Sequence, residues 1–359
     1  MSIAIISDLH FGDATTRLVK NGSVSDDFNK FRDKLKAATG GGPVDFLVLD
    51  GDVLDFSISP FEDSCKAAMP FFQALKDENI ANNIVYIPGN HDKQVWDAVE
   101  WETNIVQKLR NFKDPRGFRR TQPGIIDLTV DNPKIKLPGV SGEPGDIFLK
   151  GLFRQNEELP ISVVYPNLYV TTADNKSILI THGHMMETAW TILSDLFSAH
   201  INTTIGLKEL EEWNIPLTSM ICTGIGQAGD VSEVLYQIQQ EAYQNKTNKL
   251  KKVLSDIEPK VDDMIKLPWY LEFLDDAGFS AVKKLAIKMA RNTENSRYDQ
   301  DFFRKDHIYK KFETYYSASV TQMEQLGLKP AGHFIFGHTH DPVPYAKPME
   351  TKKLSRLNN

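Results

Sequence analysis

The sequence has little cysteine, no long apolar run and no excess of positive charge, and each shortage removes a class of protein. Only Cys65 and Cys222 occur in 359 residues. They lie far apart and in no metal-type spacing, which argues against a disulfide framework and fits a reducing compartment. No apolar stretch approaches the about 18 residues that a membrane-spanning helix needs. The opening MSIAIISDLHF carries a short apolar run without a basic leader, so it reads as a first strand rather than a signal peptide. The formal net charge of −7 argues against a general nucleic-acid or anionic-membrane binder and leaves only a local basic groove as a route to such partners. Internal repeats and low-complexity tracts are also missing. What remains, 41% hydrophobic and 25% charged residues, describes a soluble globular chain, expected in the cytoplasm and long enough for a core plus an inserted subdomain.

Apolar periodicity divides the chain into three parts. In the first, Ile3 to Ser7, Phe46 to Leu49 and Ile84 to Ile87 are short runs that read as buried strands. Between them, Asp26 to Ala38 is expected to be a helix capped by Asp26, and Phe61 to Lys76 a helix that Pro70 would kink or split. This β-α-β-α-β alternation implies a largely parallel sheet covered by helices. Residues 111–160 read as loops and short strands, and Asn167 to Thr172 with Ser177 to Thr181 as a hairpin. In the second part, residues 188–298, apolar positions recur at helical spacing around Val231 to Ile238, Leu250 to Ile257 and Val282 to Met289, which marks a mostly helical insertion. The third part resumes the core with a helix over Asp306 to Leu326 and a last buried strand over His333 to Phe336. Residues 1–187 and 299–348 thus form the expected core, and 349–359 a weakly ordered tail.

Five short polar motifs stand immediately after apolar runs: Asp8-Leu9-His10, Gly51-Asp52-Val53-Leu54-Asp55, Gly89-Asn90-His91-Asp92, Thr181-His182-Gly183-His184 and Gly337-His338-Thr339-His340. Ligands of open α/β sheets bind beyond the carboxyl ends of the strands, so all five are expected at one sheet edge. Carboxylate, imidazole and amide oxygen together suit divalent ions, and no thiolate is present to favour soft ones. Six of the nine histidines fall inside these motifs.

The ordered set DxH, GDxxD, GNHD, HGH and GHTH resembles the calcineurin-like metallophosphoesterases. The resemblance covers the N-terminal strands and the segments around His182 and His338, but not the insertion. It implies a metallophosphoesterase-type α/β sandwich that hydrolyses a phosphate mono- or diester through a metal-bridging hydroxide. It further implies two divalent ions, manganese first, with iron, zinc, nickel or cobalt as alternatives. Asp8, His10 and His340 would hold one ion, Asn90, His182 and His338 the other, and Asp52 would bridge them. His91 would protonate the leaving oxygen, and Asp55 would orient His91.

Other readings stand beside these. Asp55 is also a plausible helix cap, and Asp92 reads as a cap or supporting hydrogen-bonder rather than a ligand. His184 could touch substrate or simply occupy a turn. His333 is expected in the core, and His200 and His307 on helices or the surface. Arg116, Arg119 and Arg120 could meet a charged substrate, though a solvated surface is the simpler reading. Gly224, Gly226 and Gly229 spell GxGxxG outside any βαβ unit and so do not mark a dinucleotide site. The insertion would be a lid or wall beside the site, an oligomer contact, or bulk. The expected substrate is a small or medium phosphorylated compound. A nuclease of the same chemistry and a metal-bearing scaffold with little turnover are the alternatives. The family usually adds strands after its last histidine motif; only Asp341 to Asn359 follow it here, so either the sheet is expected to close differently or the chain is a shortened version.

Overall fold

The computed structural model describes residues 1–14, 16–115, 117, 120–139, 146–174, 176–198, 204–219, 227 and 306–338. The first sheet is parallel throughout, in the order β1 (Ile3–Ile6), β4 (Val44–Asp50), β5 (Ala81–Ile87), β8 (Ile161–Val163). A small ribbon, β2 (Val19–Lys20) and β3 (Ser23–Val24), precedes α1 (Asp26–Ala38), and α2 (Phe61–Asp77) links β4 to β5. After β5 come α3 (Gln94–Trp101), a π-helical turn over Glu102–Val106 and α4 (Gln107–Arg110).

The second sheet is mixed. It runs β11 (Ala331–Phe336), β10 (Ser177–Thr181), β9 (Asn167–Thr171), β6 (Gly124–Asp127), β7 (Ile135–Lys136), with β10 and β11 parallel and β9 and β10 the expected hairpin. Short α5 (Asp146–Leu149) lies before β8, while α6 (Thr188–Ser198) and α7 (Leu207–Ser219) follow β10 and α8 (Asp306–Gln325) precedes β11.

Alternation along β4 explains the layering. Phe46 and Val48, with Val85 and Ile87 of β5, meet Ile126, Leu168, Val170 and Ile180 of the second sheet in one buried cluster. The intervening Leu47 and Leu49 face the opposite way, into the larger cluster with Phe28 of α1 and Ala68, Phe71, Phe72 and Leu75 of α2. On the outer face of the second sheet, Tyr169 and Leu179 pack on Met323 of α8. The result is an α/β sandwich in which two sheets lie face to face between helices.

Several expectations need correction. The cap of α1 is Ser25, whose hydroxyl accepts the Phe28 N–H, so Asp26 is the first helical residue and not the cap. Pro70 lies inside α2 without splitting it. The last strand, β11, is an edge strand with alternating exposure, and His333 on it is exposed rather than buried in the core, because nothing described pairs on that side. Arg120 is half-buried and paired rather than simply solvated: its backbone N–H and guanidinium both reach Glu100, at 2.6 and 3.3 Å. The motifs do not share one sheet edge. Three follow strands of the first sheet and two follow strands of the second, and the two rims converge. The three helical patterns of the expected insertion, the glycines of the GxGxxG stretch, Arg116, Arg119, His200, Cys222, His340 and the tail lie outside the described residues, as does the side chain of His307. Among the described residues, no helix is long and apolar enough to cross a membrane.

Helix α7 is tied to the first sheet's motif loops by a buried charge network. Lys93, beside the Gly89-to-Asp92 motif, is 1% exposed and places Nζ 3.0 Å from Glu211 Oε1 of α7 and 2.6 Å from Asp97 Oδ1. Burial would lower the Lys93 ammonium, but Glu211 and Asp97 outweigh it and hold it at about 12. The Tyr165 hydroxyl donates to the other Glu211 oxygen at 2.7 Å, and Trp96 stacks on the Tyr165 ring at 5.4 Å. Removing one member of such a pair leaves an uncompensated buried charge. Glu211→Gln should therefore cost about 3–5 kcal/mol in urea unfolding, and a loss below about 1 kcal/mol, the range of exposed pairs, would contradict the network's role.

Candidate active site

The motif loops are stitched together by backbone hydrogen bonds before any side chain is considered. Asp8 N–H donates to the Gly51 carbonyl at 3.0 Å, His10 N–H to that of Asp52 at 2.8 Å, Phe56 N–H to that of His91 at 3.1 Å and Gly337 N–H to that of His182 at 3.1 Å. The loops can run this close because two positions carry no side chain. A Cβ on Gly51, whose φ is +81°, would lie 2.3 Å from the His182 ring, and one on Gly89 would lie 2.2 Å from Asp52 Oδ1. Asp8, His10, Asp52 and His338 themselves adopt φ of 56°, 47°, 50° and 68°. This left-handed conformation disfavours residues with a Cβ, and such strain concentrates at functional sites.

These loops bring together eight of the nine residues expected from the sequence; the ninth, His340, is outside the described residues. Asp8, His10 and Asp52 have ligand-type atoms within 4.8 Å of one another, and so do Asp52, His182 and His338. Asp52 belongs to both clusters. Asn90 Oδ1 lies 3.3 Å from His182 Nε2, which is also 3.1 Å from Asp52 Oδ2.

The donor atoms fit divalent ions. His182 Nδ1 donates to the Asp50 carbonyl at 2.9 Å, and a carbonyl can only accept. His182 Nε2 therefore faces two oxygen acceptors and needs either a proton or a cation there. His10 Nδ1 donates to Asp55 Oδ2 at 2.8 Å, and His338 Nε2 to Glu187 Oε2 at 2.9 Å. Each imidazole thus has one nitrogen held by an oxygen, the arrangement usual for metal-binding histidines.

Asp55 is not a helix cap; it holds two rings. While Oδ2 takes His10, Oδ1 accepts from His91 Nδ1 at 2.9 Å and from the Ser57 hydroxyl at 2.6 Å. With Nδ1 so engaged, His91 Nε2 lies 3.9 Å from Asp52 Oδ2, over the double cluster. Asp92 acts as a clamp, accepting the N–H groups of Gly89 and Val53 at 2.6 and 2.8 Å and the Tyr86 hydroxyl at 2.5 Å. His184 is buried beside His182 and His338, with ring centroids 5.6 and 6.4 Å away.

Electrostatics follow this crowding. Burial would raise Asp52, but the charges of His182, His91 and His10 outweigh it and hold its carboxyl well below the ordinary range. Burial would likewise raise Asp55, and His91 and His10 pull it well below that range. Burial would lower His182, yet Asp52, helped by Asp8 and Asp50, pushes it up to about 10. Burial, aided by Asp8 and Asp52 and opposed by His182, lifts Asp50 to about 8. Burial and the charges of His182 and His338 hold His184 well below its usual value, so it stays neutral.

The model of the calcineurin-like phosphoesterase family matches residues 1–218. The chain belongs to this family. The match carries four of the five motifs together with α6 and most of α7. His338 lies beyond it and joins the phosphoesterase site by geometry alone. No curated protein and no solved structure matches the chain significantly. The site also contains residues that sequence reasoning missed. Ser57, two positions after Asp55, is a recognisable Asx-type turn because its N–H also returns to Asp55 Oδ1, at 3.1 Å. Glu187, Tyr165 and Glu211 carried no local signal, since their partners are remote in sequence.

Proton linkage gives a test of the cluster. In the metal-free phosphoesterase, His182 is raised from 6.5 to about 10. A raised pKa gives stability that is fully present below the unfolded value and lost as pH rises through the folded one. Stability should therefore fall between pH 6.5 and about 10. A metal at His182 must displace the same proton. Manganese affinity should accordingly rise across that window, with about one proton released per bound ion, measurable by titration calorimetry in buffers of different ionisation enthalpy. Affinity independent of pH there would contradict the assignment.

Proposed function

We propose that the chain is a two-metal phosphoesterase that hydrolyses a mono- or diester of a small or medium phosphorylated substrate. The reading rests on one observation: two ligand clusters share Asp52, and His91 Nε2 stands beside that shared carboxylate with its other nitrogen held by Asp55. Asp8, His10, Asp52 and His340 would hold one ion, and Asp52, Asn90, His182 and His338 the other. Two such ions would neutralise phosphoryl charge, acidify a water and align it with the leaving group. Manganese is the first choice for this nitrogen and oxygen set, with iron, zinc, nickel and cobalt behind it.

The protein's own groups perform the remaining work. Asp55 keeps the His91 proton on Nδ1 and leaves Nε2 to deliver a proton to the departing oxygen. Its negative charge also stabilises the imidazolium that this role needs before transfer. The Asp92 clamp fixes the loop carrying Asn90 and His91. The insertion would form a wall beside the site. In support, Gln227 donates to the carbonyls of Phe56 and Ser59 at 3.1 and 3.0 Å, at the loop that carries Ser57. The acidic net charge supports a small substrate over a nucleic acid, and the scarcity of cysteine supports a cytoplasmic setting.

Elemental analysis of purified protein followed by a phosphomonoester and phosphodiester panel with manganese tests this reading. His91→Ala should keep both ions and lose about 10²–10⁴-fold in turnover on an alkyl ester, whose leaving group needs a proton, and should lose less on an activated aryl ester. Equal turnover of variant and wild type on the alkyl ester would remove His91 from the mechanism. Salt-sensitive cleavage of single-stranded or duplex DNA in preference to small esters would point to a nuclease instead. Bound metal without turnover on any substrate would indicate a scaffold.

A further inference from the structure

The His338 ring is held by a residue outside all five motifs. Glu187 Oε2 lies 2.9 Å from His338 Nε2, across 151 positions of sequence. The Glu187 main chain is pinned on both sides: its N–H donates to the His184 carbonyl at 3.0 Å, and its carbonyl accepts from Trp190 N–H and the Thr191 hydroxyl, both at 3.1 Å. This places the carboxylate at the junction between the 3-10 turn over His184–Met186 and α6. One short segment thus carries both His182 and the partner of His338.

We propose that Glu187 is a positioning residue for the second ion, accepting the His338 Nε2–H so that Nδ1 is the ring's ligand atom. The proposal rests on the two-metal reading above. A carboxylate can only accept, so its bond to Nε2 selects the tautomer with a bare Nδ1. His182 is held the other way round, with Nδ1 engaged and Nε2 facing Asp52 and Asn90. The two histidines of the second cluster therefore offer different ring nitrogens. Glu187 also couples the ion to the insertion: any shift of α6 against the core moves the acceptor that orients His338.

Manganese titration of wild type, E187A, E187Q and H338A, read by calorimetry, tests this. E187A should weaken one of the two ions by about 10–100-fold, the usual effect of losing an outer hydrogen-bond partner, and leave the other unchanged. E187Q should recover most of that affinity, because its amide oxygen accepts the same bond. Ring-nitrogen NMR of the metal-free protein should show the His338 proton on Nε2 in wild type and distributed between both nitrogens in E187A. The Glu187 side chain is 30% exposed, so its truncation leaves no core cavity. Three results would overturn the proposal while the two-metal reading stood: E187A with both affinities normal although H338A loses an ion, E187Q as weak as E187A, or a wild-type proton on Nδ1. Wild type that binds no second ion, or H338A that keeps both, would overturn the two-metal reading and this proposal together.

Discussion

A carboxylate almost fully removed from water governs this site. Asp52 is 1% exposed, and an ionised group in that position is tolerated only when opposite charge and hydrogen-bond donors surround it. The His91 N–H supplies a donor to Oδ1 at 2.8 Å, and His182 Nε2 stands 3.1 Å from Oδ2. Much of the neighbouring architecture follows from this demand. The glycines at 51 and 89 let two loops close on the carboxylate, and the strained backbones at 8, 10 and 338 carry side chains clustered with it. Without metal, the neighbouring carboxylates favour the protonated forms of His10 and His182. In the two-metal reading, bound cations would take the place of those protons.

The sandwich provides the rigidity that such a cluster requires. Three loops leave the parallel sheet and two leave the mixed sheet, and the apolar layer between the sheets holds the two rims at a fixed separation. Outer hydrogen bonds then set each ring. Asp55 serves His10 and His91 at once, which links the candidate metal cluster to the proposed acid through a single carboxylate. Lys93 and Glu211 extend the same fixing outward into α7.

Much of this was legible in the sequence because the informative signals are local. Strands such as Val44–Asp50 announce themselves as compact β-branched and apolar runs, and the metal-type residues follow them within a few positions. Helix α1 was readable to the residue from its spacing, while its cap was missed because Ser25 and Asp26 are both good capping residues and only the bond to Phe28 N–H distinguishes them. Long-range pairing was not legible. Nothing near His333 reveals that β11 ends at a sheet edge, and nothing near Glu187 reveals His338, because a contact over 151 positions leaves no periodic trace. The division of the motifs between two sheets escaped for the same reason: apolar runs identify strands but not their neighbours.

The most direct test of the account is the position of the ions themselves. Anomalous diffraction at the manganese edge, from crystals grown with manganese, should show two peaks, one among Asp8, His10 and Asp52 and the other among Asp52, Asn90, His182 and His338. A map with no peak near Asp52, or with a metal bound away from that carboxylate, would contradict it.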